Sequence, residues 1–207
     1  MKWSHARSVV EELRQDTRLY LPALTKRRGF SSSRVEHLLN RMVGSLPAEE
    51  TYLEIGTLEG RTLEAAGHMN DDKRLIGIDP CEKYDYVPNG FTANTTFIKA
   101  KWQDVLSSVT SVGFLNPVGC VFYDGLHDAT ETSAFMMKIV EHLADEAVLV
   151  MDDWDRVSVR RGAYYAEHLE PRWQLLNEMP CYGDGLTSPQ SHFGYSFGIA
   201  VWGFKRP

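Results

Sequence analysis

Tyr52-Leu53-Glu54-Ile55-Gly56-Thr57-Leu58-Glu59-Gly60-Arg61-Thr62, followed by Leu75-Ile76-Gly77-Ile78-Asp79-Pro80, is the stretch that decides the fold. An apolar strand runs into an acid, breaks at a glycine loop and starts a helix; a second apolar strand then ends in another acid. A glycine at the strand end permits φ > 0, and the second lets a ligand or helix N-terminus approach with no Cβ in the way. Asp79 falls at the tip of the next parallel strand, where α/β nucleotide folds place the acid that accepts hydrogen bonds from ribose hydroxyls. The pattern therefore predicts an adenosine-type cofactor site, the alternative being a chance glycine pair in a βα turn. Its Glu-x-Gly-x-x-x-Gly spacing differs from the dinucleotide fingerprint Gly-x-Gly-x-x-Gly.

Working outward, strands and helices alternate. Strands are predicted at 51–56, 74–79, 95–100, 119–124 and 146–152, and helices at 60–69, 103–110, 128–143 and 156–168. Near-continuous apolar runs such as Val118–Tyr123 and Ala147–Met151 argue for strands covered on both faces, as in a parallel sheet. Two last strands, about 172–179 and 197–205, have no helix between them and predict an antiparallel edge. Ahead of the first strand, 4–19 and 33–45 read as helices. Ser33-Arg34-Val35-Glu36 has the form of a capping box, and Val35, Leu38, Leu39, Met42 and Val43 recur at helical spacing. The expected architecture is α/β: a doubly wound, mostly parallel seven-stranded sheet. One domain is expected over 1–207, with a helical extension at 1–47 and the α/β core at 48–207.

Composition narrows the function. The 207 residues are 43% hydrophobic, enough to bury one sizeable core, and no Pro/Gly/Ser linker divides them. Twenty-two basic against 28 acidic side chains give a net charge of −6, so no basic field attracts a phosphate backbone. A small molecule is the expected partner, and nucleic acid is not. Cys81, Cys120 and Cys181 lack metal-type spacing and are odd in number, which fits reduced thiols in a cytoplasmic protein. With Glu11 and Glu12 interrupting any apolar leader and no apolar run beyond strand length, no membrane association is expected.

A second chemical cluster is carboxylate-rich. One strand ends Tyr123-Asp124-Gly125-Leu126-His127-Asp128, and the next ends Met151-Asp152-Asp153-Trp154-Asp155. In a doubly wound sheet both ends face the crevice that holds Gly56 and Asp79. Asp124, Asp152 and Asp153 are hard oxygen ligands of the kind that hold Mg²⁺, and a cation would offset their mutual repulsion. The alternative is that strand-end aspartates cap the following helices, the role expected for Asp128 and Asp155.

The Glu54-to-Asp79 unit resembles the first motif of the class I S-adenosylmethionine (SAM)-dependent methyltransferases, which usually carry an antiparallel edge of the predicted kind. The Asp-Gly-x-His and Asp-Asp-aromatic turns look like those of small metal-dependent O-methyltransferases of the macrocin and mycinamicin sugar type and their bacterial relatives. The similarity runs from about Tyr52 to Asp155. It implies SAM as cofactor and Mg²⁺ on Asp124, Asp152 and Asp153, bound to two neighbouring acceptor hydroxyls. Asp124 is then counted in cofactor binding and catalysis as well. An acid two places after Asp124 serves those relatives as general base, but Leu126 stands there. His127 is the nearest replacement, since its unperturbed pKa near 6.5 suits proton abstraction, with a structural hydrogen-bonding role as the alternative.

The same resemblance assigns the cofactor contacts. Glu54 organises the loop and reaches the methionine amino group through water. Gly56 and Gly60 leave space for the methionine half, Thr57 lies in the same loop, and the Arg61/Thr62 turn offers backbone N–H groups to the carboxylate. Asp79 takes the ribose. Trp102 stacks on adenine and Asp104 accepts from its exocyclic amine, with core packing and helix capping as their alternatives. The long segment 180–195, with Tyr182, His192, Phe193 and Tyr195, is expected to cover an acceptor. The expected activity is Mg²⁺-assisted O-methylation of a small-molecule hydroxyl. A SAM-binding protein without methyl transfer and another nucleotide-dependent Rossmann-type enzyme are the alternatives, and a homodimer is compatible with all three.

Overall fold

The structure, a computed structural model, describes residues 2–15, 23–27, 29, 31–81, 89–108, 117–181 and 197–207. Two helices come first, α1 (Lys2–Gln15) and α2 (Ser33–Gly44). The alternating part follows as β1 (Thr51–Ile55), α3 (Arg61–Gly67), β2 (Arg74–Asp79), β3 (Thr95–Lys99), α4 (Trp102–Ser107), β4 (Val118–Tyr123) and α5 (Ala129–Ile139). A 3₁₀ turn at Val140–His142 leads into β5 (Leu143–Met151), and α6 (Val157–Leu169), β6 (Trp173–Cys181) and β7 (Phe197–Lys205) complete the chain. The sheet has seven strands in the order β3-β2-β1-β4-β5-β7-β6. The pairs from β3 to β5 are parallel, while β7 runs antiparallel to both β5 and β6. This is the expected mostly parallel sheet with its antiparallel edge.

Period-two alternation divides the core into two layers. Leu53, Ile55, Ile76, Ile78, Val121, Tyr123, Leu149, Met151 and Trp202 pack with Phe135, Val159 and Ala163 of α5 and α6. Tyr52, Leu75, Cys120, Phe122, Val148, Val150 and Val201 face the other way, onto Val9, Leu38, Leu39, Val43 and Leu63 of the first three helices. The N-terminal helices thus share with α3 the covering of one face of the sheet. Each fully buried Leu, Ile or Phe contributes roughly 1.5–3 kcal/mol, so both layers are substantial.

Several boundaries differ from the expected ones, for physical reasons. Ser32, one residue before the expected cap, accepts from Val35 N at 3.3 Å. Glu36 does not return to the cap; fully buried, it accepts from Leu24 N at 2.8 Å and Arg61 Nε at 2.7 Å. Tertiary partners outcompeted the local box. The helix expected over 128–143 ends at Ile139 because the backbone is drawn into β5, where Leu143 pairs with Val118. Of the other expected helices, 16–19 and 109–110 lie outside the described residues, as does 182–195, the bulk of the expected acceptor cover. Among the described residues no helix is long and apolar enough to cross a membrane.

Candidate active site

Strand register draws one end of the crevice together. Gly56 N donates to Ile78 O at 2.9 Å, Asp124 N to Ile55 O at 2.9 Å and Asp152 N to Tyr123 O at 3.0 Å. Each bond carries strand pairing one residue past the strand, so the groups that follow β1, β4 and β5 meet Asp79 along one carboxyl edge. The topology reverses there, since β2 lies on one side of β1 and β4 on the other. A crevice of about 400 Å³ opens at this edge, walled by Ile55, Gly56, Leu58, Asp79, Trp102, Gln103, Asp124, Leu126 and Glu131, among others. Its size suits a nucleoside-sized ligand.

At the β1–β2 end the backbone holds the polar groups. Asp79 accepts from Leu58 N at 2.8 Å through one oxygen and from Cys81 N at 2.6 Å through the other. The carboxylate is fixed at the crevice wall with lone pairs remaining on both oxygens. Gly56 has φ +86°, and a Cβ there would lie 1.8 Å from the Asp124 carbonyl oxygen. The glycine is required by the neighbouring strand end, a reason the expected ligand space did not supply. Gly60, at φ +85°, is covered by Phe91, whose ring would be 2.5 Å from an added Cβ.

Glu54 is fully buried, accepting from Tyr52 Oη at 2.8 Å and Thr62 Oγ1 at 2.9 Å. Burial pushes its carboxyl up to about 8, against the pull of those two hydroxyls. Glu54 therefore organises the loop from beneath, as expected, but it does not reach the crevice. Thr57 is also buried, and Thr62 is spent on Glu54. The Arg61 side chain turns away to Glu36 and to Gly29 O at 3.3 Å.

Trp102 is half-buried, lines the crevice and packs edge-on against Phe135 at 5.3 Å, the core contact given as the alternative to stacking on adenine. Asp104 does neither. It is exposed, lies outside the lining, and α4 is capped by Lys101 without a side-chain bond. The polar groups here are Gln103 and Glu131, with Gln103 Nε2 donating to Glu131 Oε1 at 2.8 Å and Oε2 at 3.1 Å. Sequence reasoning missed both, because a glutamate in a helix's first turn reads as a partner for the helix dipole.

The β4–β5 end is built from side chains that hold one another. His127 Nε2 bonds Asp153 Oδ2 and lies 3.6 Å from Asp124 Oδ1, and Arg156 Nε approaches Asp153 Oδ1 at 3.2 Å. The neighbouring Asp124 and Asp153 carboxylates hold His127 up at about 9. Burial raises Asp124 to about 6 although the His127 bond opposes it. Asp153 is buried too, but His127 and Arg156 overcome that and keep it below the usual range. Asp152 is pushed well up by burial and by the nearby Asp124 charge, and its Oδ1 accepts from Asp153 N at 2.9 Å.

The cluster that the structure brings together differs from the expected oxygen trio. Side-chain ligand atoms of Asp124, His127 and Asp153 all lie within 4.8 Å of one another, and among the described residues Asp152 belongs to no such group. Both residues lie past the end of β5, and Asp153 stands at φ +51°, so the backbone turns between the two carboxylates. Asp128 caps α5 as expected, accepting from Thr130 N and Glu131 N, whereas α6 starts from Arg156 and not from an Asp155 cap.

Residues 53–154 match a family model described as a methyltransferase domain. Among solved structures, an O-methyltransferase from Bacillus cereus in complex with SAH is 17% identical, covering 96% of this chain and 91% of that one at a TM-score of 0.65. Cofactor-bound Rv0187 from MTB is 19% identical, covering 98% and 90% at 0.65. The O-methyltransferase TomG from Streptomyces achromogenes, in complex with SAM, is 15% identical, covering 96% and 90% at 0.58. At these identities the likeness is one of fold. No curated protein sequence matches this one.

Proposed function

We propose that the chain is a class I SAM-dependent methyltransferase and that it methylates a hydroxyl of a small molecule with the help of a divalent cation, Mg²⁺ by the family resemblance, held at the β4–β5 end. The observation that carries this reading is the single crevice with Asp79 at one end and Asp124 at the other. O-methyltransferase relatives of the same fold, bound to SAM or SAH, support the choice of oxygen as acceptor.

Asp79 would take the ribose through its remaining lone pairs, and Trp102 with Gln103 would bound the adenine. That directs the sulfonium methyl toward Asp124. A cation on Asp124, His127 and Asp153 would lower the pKa of a bound hydroxyl. The donor set suits a divalent ion, with two carboxylates and one imidazole converging. Because Leu126 stands where the family has its acid, the proton of a cation-bound hydroxyl would pass to the Asp124 carboxylate oxygen that the ion leaves free at the crevice wall.

One variant tests the reading. Asp153→Asn should lower turnover on catechol-type and vicinal-diol acceptors by about 100-fold or more while leaving SAM affinity within about twofold, because the cluster faces the acceptor. EDTA should do the same to the native protein. Turnover retained in both would remove the cation from the reading. SAM binding with no turnover across the acceptor panel would favour a binding protein, the alternative that Leu126 suggests.

A further inference from the structure

The donor set at the β4–β5 end, two carboxylates and one imidazole, departs from the all-oxygen set that Mg²⁺ prefers. We propose that His127 Nε2 is a direct ligand beside Asp124 and Asp153, and that the site therefore selects a first-row transition cation of the Fe²⁺ or Co²⁺ kind over Mg²⁺. This rests on the cation reading above and adds the metal class that its donor set selects.

Three observations carry it. The three side chains each offer one atom, all within 4.8 Å of one another. Donors on one face of an octahedral ion with bonds near 2.1 Å lie about 3 Å apart, so an ion would draw Asp124 closer to His127 and part the His127–Asp153 contact. Second, the partners outside the cluster hold this arrangement. Arg156 engages Asp153 Oδ1 and leaves Oδ2 on the imidazole side, while Ser158 Oγ donates to His127 O at 2.7 Å and anchors the turn. Third, the oxygen that would replace His127 in an all-carboxylate set is turned elsewhere: Asp152 is buried and bonded to the backbone of its neighbour. Mg²⁺ demands near-ideal octahedral oxygen coordination and sheds water reluctantly, whereas one imidazole with two carboxylates is a borderline set that favours later first-row ions. With its side chain 36% exposed, His127 also leaves a path for an ion to enter.

The experiment uses the whole chain with SAM present and Mn²⁺, Co²⁺ or Mg²⁺ added alone. Pulsed electron paramagnetic resonance on the Mn²⁺ form should show nitrogen coupling from a bound imidazole. Calorimetry should find Co²⁺ binding on the order of 100-fold tighter than Mg²⁺. His127→Asp, at an exposed position where folding can be checked by melting temperature, should abolish the nitrogen coupling and reduce the Co²⁺ preference at least about tenfold. Metal binding without nitrogen coupling, with the same preference in His127→Asp, would overturn the ligand assignment and leave the cation reading standing. Binding of none of the three ions at millimolar concentration would overturn both, leaving the His127 imidazolium as the positive charge between the two carboxylates.

Discussion

At the β1–β2 end of the crevice the acid that faces the ligand is held by backbone N–H groups, two of them on Asp79. At the β4–β5 end the functional side chains hold one another, His127 between Asp124 and Asp153 with Arg156 behind. A carboxylate fixed by backbone donors keeps its geometry and ionisation whatever its neighbours do, which suits recognition of an invariant cofactor. A cluster of mutually neutralising side chains is sensitive to each member's charge and readily admits a cation or a reacting proton. On the proposed function, cofactor and acceptor would be held by different kinds of bond at the two ends.

Gly56 joins the two ends, and changing it gives the largest expected effect. Gly56→Ala would place a Cβ 1.8 Å from the Asp124 carbonyl at φ +86°. It should destabilise the fold by about 4 kcal/mol or more in urea unfolding and weaken SAM binding as well. A loss under about 1 kcal/mol would mean that the ends move independently.

The β1–β2 end also carries a pH signature through Glu54. Its carboxyl is raised from 4.5 to about 8, so between those values the folded state keeps a proton that the unfolded state gives up. Stability should therefore fall as pH rises from 4.5 to 8. Glu54→Gln removes that slope and should leave the variant more stable than native by on the order of 3 kcal/mol at pH 8, with little difference at pH 4.5. Parallel stability curves would show that Glu54 is ionised beneath the loop.

Smaller effects separate neighbours along the cofactor wall. Asp79→Ala should cost SAM about 1–3 kcal/mol by calorimetry, and Gln103→Ala about 1 kcal/mol. Asp104→Ala should change affinity by less than about twofold, because its side chain stays outside the crevice. Equal losses at Asp79 and Asp104 would redraw the adenine end.

The difference between the two ends also explains what could be read in advance. The Glu54-to-Asp79 unit was legible because its determinants are local: a strand, a glycine needing positive φ, a helix start and a second strand end. The role of Glu54 as loop organiser came from the family resemblance; the reason for Gly56 was not legible, since the Asp124 carbonyl that forbids a side chain comes from a strand distant in sequence. Near Asp104 the sequence pointed to the right turn and the wrong residue. Helix phase, set by where α4 packs on Phe135, decides whether 103 or 104 faces inward.

By itself the sequence determined the α/β alternation, the parallel sheet with its antiparallel edge and the cofactor loop, since strand patterning and glycine geometry act over a few residues. Tertiary structure alone decided that Asp153 and not Asp152 meets His127, that Glu36 leaves its capping box for Arg61, and that Gln103 meets Glu131. Which of two adjacent carboxylates reaches a partner depends on the backbone rotation at one strand end. That rotation is fixed by packing between β5 and its neighbours, which no local pattern encodes.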